Sequence, residues 1–511
     1  GIAVQVPSLR GESQRGYGDF GILAETARAF GAAGADALAI SPTHALFPAD
    51  PTRFSPYAPS SRLFHNILLG DPALVGAPPP PEPAPPLIDW QHAIPARLAH
   101  LRAAFDALTD TGRAALQAFR NDRGPALEAH ARFDALHALF HARHGAKGWQ
   151  DWPTAYRDPA APEVTRFAAE HPDEIAFHAF AQWLAELGLS SAQGAAREQM
   201  RIGLIADLAV GMDAGGSHGW SRRGELLTGL TVGAPPDPLG PDGQNWGITA
   251  LDPFALRRTG FAPWAETLRT ALAHAGGIRI DHALGLKRLW VVPEGAAADQ
   301  GGYLAMPFAE MLHVLAIEAH RARALVIGED LGTVPPGFRD TMAAHGMLGM
   351  RVLPFERDEH GRFTDPAGWD EQAVAMTGTH DTPTLAGWWQ GRDIAWNREL
   401  GRGSAGANAE QTRATERDAL WQATGAPGST PSKPPIDTIL AHVAAAPGPL
   451  AIVPLEDLAG LEEQPNLPGT IDEHPNWRRR MPDTADALLD RPEIARRATL
   501  LTRLRPAQDP R

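Results

Sequence analysis

The stretch GIRIDHALG, residues 277–285, mixes two kinds of residue that rarely share a strand. Ile278 and Ile280 are apolar and β-branched, Leu284 follows, and all three call for burial. Arg279, Asp281 and His282 sit among them. Charged groups in an apolar run are costly unless they are partnered or used. Residues two apart on a strand share a face, so Arg279 and Asp281 point the same way near the strand's end. The fixed charge of Arg279 is expected to keep Asp281 ionised at neutral pH.

Seven similar runs surround this one. They are GIAVQVPSL (1–9), ADALAISP (35–42), RIGLIADLAVG (201–211), ALVIGEDLG (324–332), GMRVLPFE (349–356), AVAMTGTHDT (373–382) and PLAIVPLEDLAG (449–460). Several are continuous rather than alternating, which suits parallel strands buried on both faces. Ala-rich helical stretches such as GILAETARAFGAAG and PFAEMLHVLAIEAHRARA lie between them. Eight strands with helical crossovers predict an α/β protein, a (β/α)8 TIM barrel with large, mainly helical insertions. An open doubly wound sheet is the alternative.

The barrel is expected to run through residues 1–511. Residues 43–200 form a mainly helical insertion after strand 2, carrying the stiff APPPPEPAPP segment. Residues 212–276 form an insertion between strands 3 and 4 with a substrate loop. Residues 383–448 form another between strands 7 and 8. No tandem repeat is present.

Composition narrows the function. The chain has 511 residues, an ordinary apolar fraction and a formal charge of −14 without a long basic run. A globular protein is expected, and neither nucleic acid nor an anionic membrane surface as its main partner. There is no cysteine, hence no disulfide framework and no thiolate chemistry. No apolar stretch approaches the roughly 20 residues of a membrane span, and no signal peptide is visible at the start. These features lead to an expected cytoplasmic location. Gly1 opens directly in a strand-like run, and further residues are expected upstream.

In a barrel, chemistry gathers at the C-terminal ends of the strands. Those ends carry Asp207, Asp281, Glu329, Asp381 and Glu456. One such acid alone reads best as a cap on the following loop; five together do not. Two carboxylates flanking a sugar suffice for glycosidic bond chemistry, one as nucleophile and one, kept protonated, as acid. Glu329 and Asp330 point opposite ways, so only one faces the pocket, and the longer Glu329 suits the reach to a glycosidic oxygen. His380 and Asp381, in TGTHDTPT, are placed to bond sugar hydroxyls.

At this point a family resemblance is plain. RIDH, GED and THDT, in this order on strands four, five and seven, resemble the amylase-type catalytic set. SPYAPSSR (55–62), GAPPDPLGPDGQNWG (233–247), IDHALGLKRLW (280–290) and NLPGTIDEHPNWRRR (466–480) resemble amylomaltase, the 4-α-glucanotransferase or disproportionating family, glycoside hydrolase family 77. The resemblance covers essentially the whole chain. It implies Asp281 as nucleophile, Glu329 as acid/base and Asp381 as transition-state stabiliser. It further implies that Arg279, His282, His380, Asp207 and Tyr57 bind the sugar at the cleavage point, and that Gln244, Trp246 and Asn466 line neighbouring subsites. Maltooligosaccharides and α-glucans would be donor and acceptor, with no cofactor and no metal. ADLAVGMD lacks the His that general amylases carry on the third strand, and GQNWGIT departs from the more usual GQxWGxP. Relatives of this kind often carry an extra N-terminal region.

Two rivals stand beside this reading. The catalytic set is common to an α-1,4-glucan hydrolase, in which water resolves the intermediate. The loop at 233–247 favours transfer, as a cover that limits water. A non-catalytic glucan-binding protein is the other rival, which an intact carboxylate trio disfavours. Other signals are weaker. His137, His141 and His144 share a helical face and read as a solvated surface rather than a metal site. Trp149, Trp152, Trp388 and Trp389 read as packing. Glu462 and Glu463 read as a solvated loop, and SHGW (217–220) is too short to interpret.

Overall fold

The structure is a computed structural model and describes all residues except 14, 84, 237–241, 403–407 and 507–511. Eight strands run parallel: β1 Ile2–Val4, β2 Ala37–Ile40, β3 Gly203–Leu208, β4 Gly277–Ile280, β5 Leu325–Gly328, β6 Gly349–Val352, β7 Ala373–Met376 and β8 Leu450–Pro454. Each falls within one of the eight runs read from the sequence. The hydrogen-bonded order is β5-β4-β3-β2-β1-β8-β7-β6. A parallel bridge from Ile327 to Leu348 brings β5 beside β6, with the Gly328 amide donating to Leu348 O at 2.8 Å. Every strand thus has two neighbours. This is a (β/α)8 barrel, and the open doubly wound sheet is excluded.

Alternation along the strands sorts side chains into two layers. Ile205, Ile327, Met350, Val374 and Ile452 pack together inside the barrel. Ile278, Ile280, Val326 and Leu208 face outward into the core shared with the helices. Register then sets the height of each inward residue. Asp207 on β3 and Ile327 on β5 are both paired with Arg279 on β4. Arg279 therefore tops the apolar interior, and Asp281 and Glu329 lie one step further toward the C-terminal mouth.

The segments between strands build the walls of that mouth. After β2, a short hairpin pairs His44–Ala45 with Ser61–His65, and its loop carries Tyr57. Arg62 is buried and donates to the carbonyls of Ala209 and Val210, tying the hairpin to the end of β3. Helices Trp90–Asp106, Asp110–His144, Pro162–Glu170 and Pro172–Arg197 follow. The last also packs on the barrel's first helix, Phe20–Ala32. Gly188 permits this approach, because a Cβ there would lie 2.9 Å from the Cβ of Phe20. A four-stranded antiparallel sheet stands beside the mouth, ordered Gly302–Ala305, Arg288–Pro293, Leu230–Ala234, Gln244–Ile248. Residues 237–241 of the GAPPDPLGPDGQNWG stretch lie outside the described residues. No described helix is long and apolar enough to cross a membrane.

Two surface readings are corrected, and one unread segment is placed. His137 is not solvated: it is 1% exposed and lies against the rings of Phe47 and Phe133. It sits four residues after Phe133, on the same core-facing stripe. Among His137, His141 and His144, only His144 is exposed. Glu463 is not in a solvated loop either. It accepts from Arg392 at 2.8 Å, from Arg479 at 2.9 Å and from the Trp396 indole at 3.0 Å. The SHGW segment forms a buried turn of helix, with Ser217 bonded to His130. Trp152 and Trp389 are fully buried and Trp149 and Trp388 partly so.

Candidate active site

Strand alternation delivers one polar cluster to the mouth of the barrel. Arg279 Nη1 donates to Asp207 Oδ1 at 2.7 Å and to Asp281 Oδ1 at 3.0 Å. One guanidinium thus links the carboxylates of neighbouring strands. Asp207 is further held by the Tyr57 hydroxyl, which donates to its Oδ2 at 2.6 Å. The same hydroxyl lies 3.3 Å from His380 Nδ1, and the Tyr57 and His380 rings stack with centroids 4.8 Å apart. His380 Nε2 stands 3.4 Å from Asp381 Oδ2. Asn466 Nδ2 donates to Asp381 Oδ1 at 2.6 Å.

Glu329 is tied to the β4 loop through backbone. Its Oε2 accepts from the His282 amide at 2.9 Å and its Oε1 from the Leu331 amide at 2.8 Å, while its carbonyl accepts from Ala283 at 2.9 Å. His282 adopts a left-handed conformation, φ 45°, which is strained for a residue with a side chain. That turn aims the His282 amide at Glu329. Asp330 behaves as its opposite parity demands. It is fully buried and takes up the Met350 amide at 2.7 Å, Arg339 at 2.6 Å and Arg351 at 3.2 Å. It is a structural ion. Removing one member of a buried ion pair costs about 3–5 kcal/mol, so Asp330→Ala is expected to lower the melting temperature by several degrees. Glu329→Ala, at a half-buried position, lowers it much less; comparable melting of the two variants would contradict this division.

Electrostatics separates the acids. Burial raises the Glu329 carboxyl to about 7, with Arg279 opposing and Asp281 adding to the rise. Burial works the same way on Asp381, but the neighbouring His380 and the Asn466 bond outweigh it, and Asp381 falls to about 2. Asp381 is half-exposed toward the cleft. Asp207 is raised, by burial first and by Asp281, against the pull of Arg279. Arg279 is held well above its ordinary value despite burial, because Asp207 and Asp281 flank it. The outcome is one acid able to carry a proton near neutrality beside one that stays ionised.

Aromatic rings close the sides. Trp246 meets the His282 ring edge-on, centroids 5.3 Å apart, and its indole donates to Gln244 at 3.0 Å. Trp477 lies 5.5 Å from Tyr57 and 5.4 Å from His380. The sequence reading did not single out Trp477. It belongs to NLPGTIDEHPNWRRR, and its left-handed backbone, φ 56°, is the only local sign of its special place. All eleven residues read as site candidates lie around this one cleft, with Gln244 exposed at its margin.

A barrel whose polar end gathers four strand-end carboxylates, an arginine and stacked rings has the make-up of an enzyme acting on sugars. Comparison with known proteins narrows the class. The family model for 4-alpha-glucanotransferase, glycoside hydrolase family 77, matches residues 4–486. The 4-alpha-glucanotransferase of Mycobacterium tuberculosis is 36% identical, covering 98% of this chain and 74% of its own. That of Haemophilus influenzae is 32% identical, covering 94% and 75%. The crystal structure of amylomaltase from Corynebacterium glutamicum matches with a TM-score of 0.83 at 28% identity, over 98% of this chain and 75% of that one. Amylomaltase from Streptococcus agalactiae, solved with acarbose, shares the fold with a TM-score of 0.83 at 20% identity, over 99% of both chains. The chain belongs to the 4-α-glucanotransferase family, glycoside hydrolase family 77. It is an enzyme of glucan transfer.

Proposed function

We propose that the cleft carries out transfer by double displacement, with Asp281 as nucleophile, Glu329 as acid/base and Asp381 as stabiliser of the transition state. The observation that carries this reading is the pairing of Glu329, raised to about 7, with the Arg279-bound Asp281 on the adjacent strand. Asp281 attacks the anomeric carbon while the Glu329 proton passes to the leaving glycosidic oxygen. The covalent glycosyl-enzyme then awaits an acceptor. Glu329, now a base, takes the proton of the acceptor's 4-hydroxyl, and the α-1,4 linkage is remade. Asp381, ionised through its contact with His380, faces the positive charge that develops on the ring. Arg279, Asp207, Tyr57, His282 and His380 hold the sugar at the cleavage point. Gln244, Trp246 and Asn466 flank it toward neighbouring subsites.

Maltooligosaccharides and longer α-glucans are the donors and acceptors of this reading, and the chemistry needs no metal or cofactor. We divide the chain into the barrel with insertions at 43–200, 212–276 and 383–448, and place its work in the cytoplasm. Support for transfer over hydrolysis comes from the rings of Trp246 and Trp477 at the sides of the cleft, which limit the water that would compete there.

Maltotriose is the discriminating substrate. Transfer converts it into glucose together with a ladder of longer chains. Products that only shorten, without any chain longer than three units, would turn the reading to hydrolysis.

A further inference from the structure

The acid that ends the last barrel strand has no part in the reaction as described. Glu456 stands in the first turn of the helix Leu455–Ala459, directly after β8, and is 4% exposed. The next residue, Asp457, is equally buried but its contacts account for it. It accepts from the Thr377 hydroxyl and the Leu385 amide, each at 2.6 Å. Glu456 has no comparable set. Its Oε2 is buried with no hydrogen-bond partner among the described residues, whereas buried polar atoms in folded proteins are nearly always bonded.

The missing partner has a place to sit. Glu456 lines a cavity of about 70 Å³ inside the barrel mouth. This is more than the roughly 10–15 Å³ that one water needs. The apolar side of the cavity, with Ile205, Met376 and Ile452, has no side-chain donor to offer; the polar side includes Gln5, Ser41, Tyr57, Arg279, Thr379 and His380. None of them bonds Glu456 Oε2, and the three nearest the sugar's place are already engaged. The Tyr57 hydroxyl is given to Asp207, Arg279 bridges two carboxylates, and the two His380 nitrogens face Tyr57 and Asp381. Burial, reinforced by Asp457 and opposed by His380, raises the Glu456 carboxyl to about 7. In its neutral form it is a hydrogen-bond donor.

We propose that Glu456 is a substrate-positioning residue, which reaches the hydroxyls of the sugar lying against Tyr57 and His380 through water held in this cavity. This assignment rests on the proposed reading of the cleft. Water-bridged contacts of this kind are nearly as good as direct ones, and a small misplacement of the sugar carries a large kinetic penalty.

The test compares Glu456→Leu, which keeps most of the volume and removes the polar group, with Glu456→Gln, which keeps a neutral donor. With maltotriose, Glu456→Leu is expected to lower kcat/KM by about 10- to 100-fold, more through kcat than through KM. Glu456→Gln stays within about threefold of the parent, as its retained donor requires. Full activity in the folded Leu variant overturns the assignment, as does an equal loss in both variants. A second measurement needs no variant. In a crystal of the unaltered protein with acarbose, an ordered water lies within hydrogen-bond reach of both Glu456 and the sugar; a dry cavity overturns the proposal. A parent protein that makes no longer chains from maltotriose defeats the reading of the cleft itself. An active parent with an unaffected Glu456→Leu defeats only this assignment.

Discussion

Asp281→Asn lowers transfer from maltotriose by on the order of 10⁴-fold or more, the scale on which a covalent nucleophile is lost. The substitution is nearly isosteric. The Asp281 amide, which donates to Leu208 O at 3.0 Å, is untouched, and Arg279 retains its bond to Asp207. The barrel end therefore keeps its shape, and circular dichroism and melting should match the parent. The amide cannot attack the anomeric carbon, so no glycosyl-enzyme accumulates with any donor. A folded variant within tenfold of the parent rate would reduce Asp281 to a structural partner of Arg279.

Glu329→Gln separates the two halves of the reaction. Maltotriose has a poor leaving group and needs the acid, so its turnover drops by a factor of about 10²–10⁴, the usual worth of general acid–base catalysis. An α-glucosyl fluoride leaves without help. The variant still forms the Asp281 adduct from it and then stalls, because nothing deprotonates the acceptor. Intact-mass spectrometry should show the added sugar after fluoride treatment. The pH profile follows from the same residue. A carboxyl raised to about 7 by burial is protonated below that value, so the kcat/KM of the parent for maltotriose falls as pH rises through about 7. Formation of the adduct from the fluoride by Glu329→Gln lacks that limb. Parent-like transfer from maltotriose by Glu329→Gln would move the acid/base role elsewhere.

The barrel was legible because its signals are local. Each strand is a short apolar run, and parity along it separates Arg279 and Asp281 from Ile278 and Ile280. The same parity distinguishes Glu329 from Asp330. Features made by tertiary contact were not legible from pattern alone. Tyr57 meets His380 across 323 residues, and only the family resemblance pointed to it. Trp477 joins that pair from a loop whose composition looks like any turn. Glu463 and His137 were misread because their partners, Arg479 and the Phe47 ring, come from other segments. The bonding deficit of Glu456 depends on which atoms do not reach it, and no string of letters records that.

The closure of the barrel has a consequence for how the chain is made. β1 lies between β2 and β8, and its contacts with β8 join residues some 450 positions apart. Ribosomes add about 5–20 residues per second. The first strand therefore waits roughly 20–90 seconds after its own synthesis before its second neighbour exists. Throughout that interval one edge of β1 offers unpaired backbone groups, the kind of edge that recruits foreign strands. The barrel is thus most vulnerable to mispairing during translation at β1, and a slowdown in elongation anywhere between β1 and β8 lengthens the exposure.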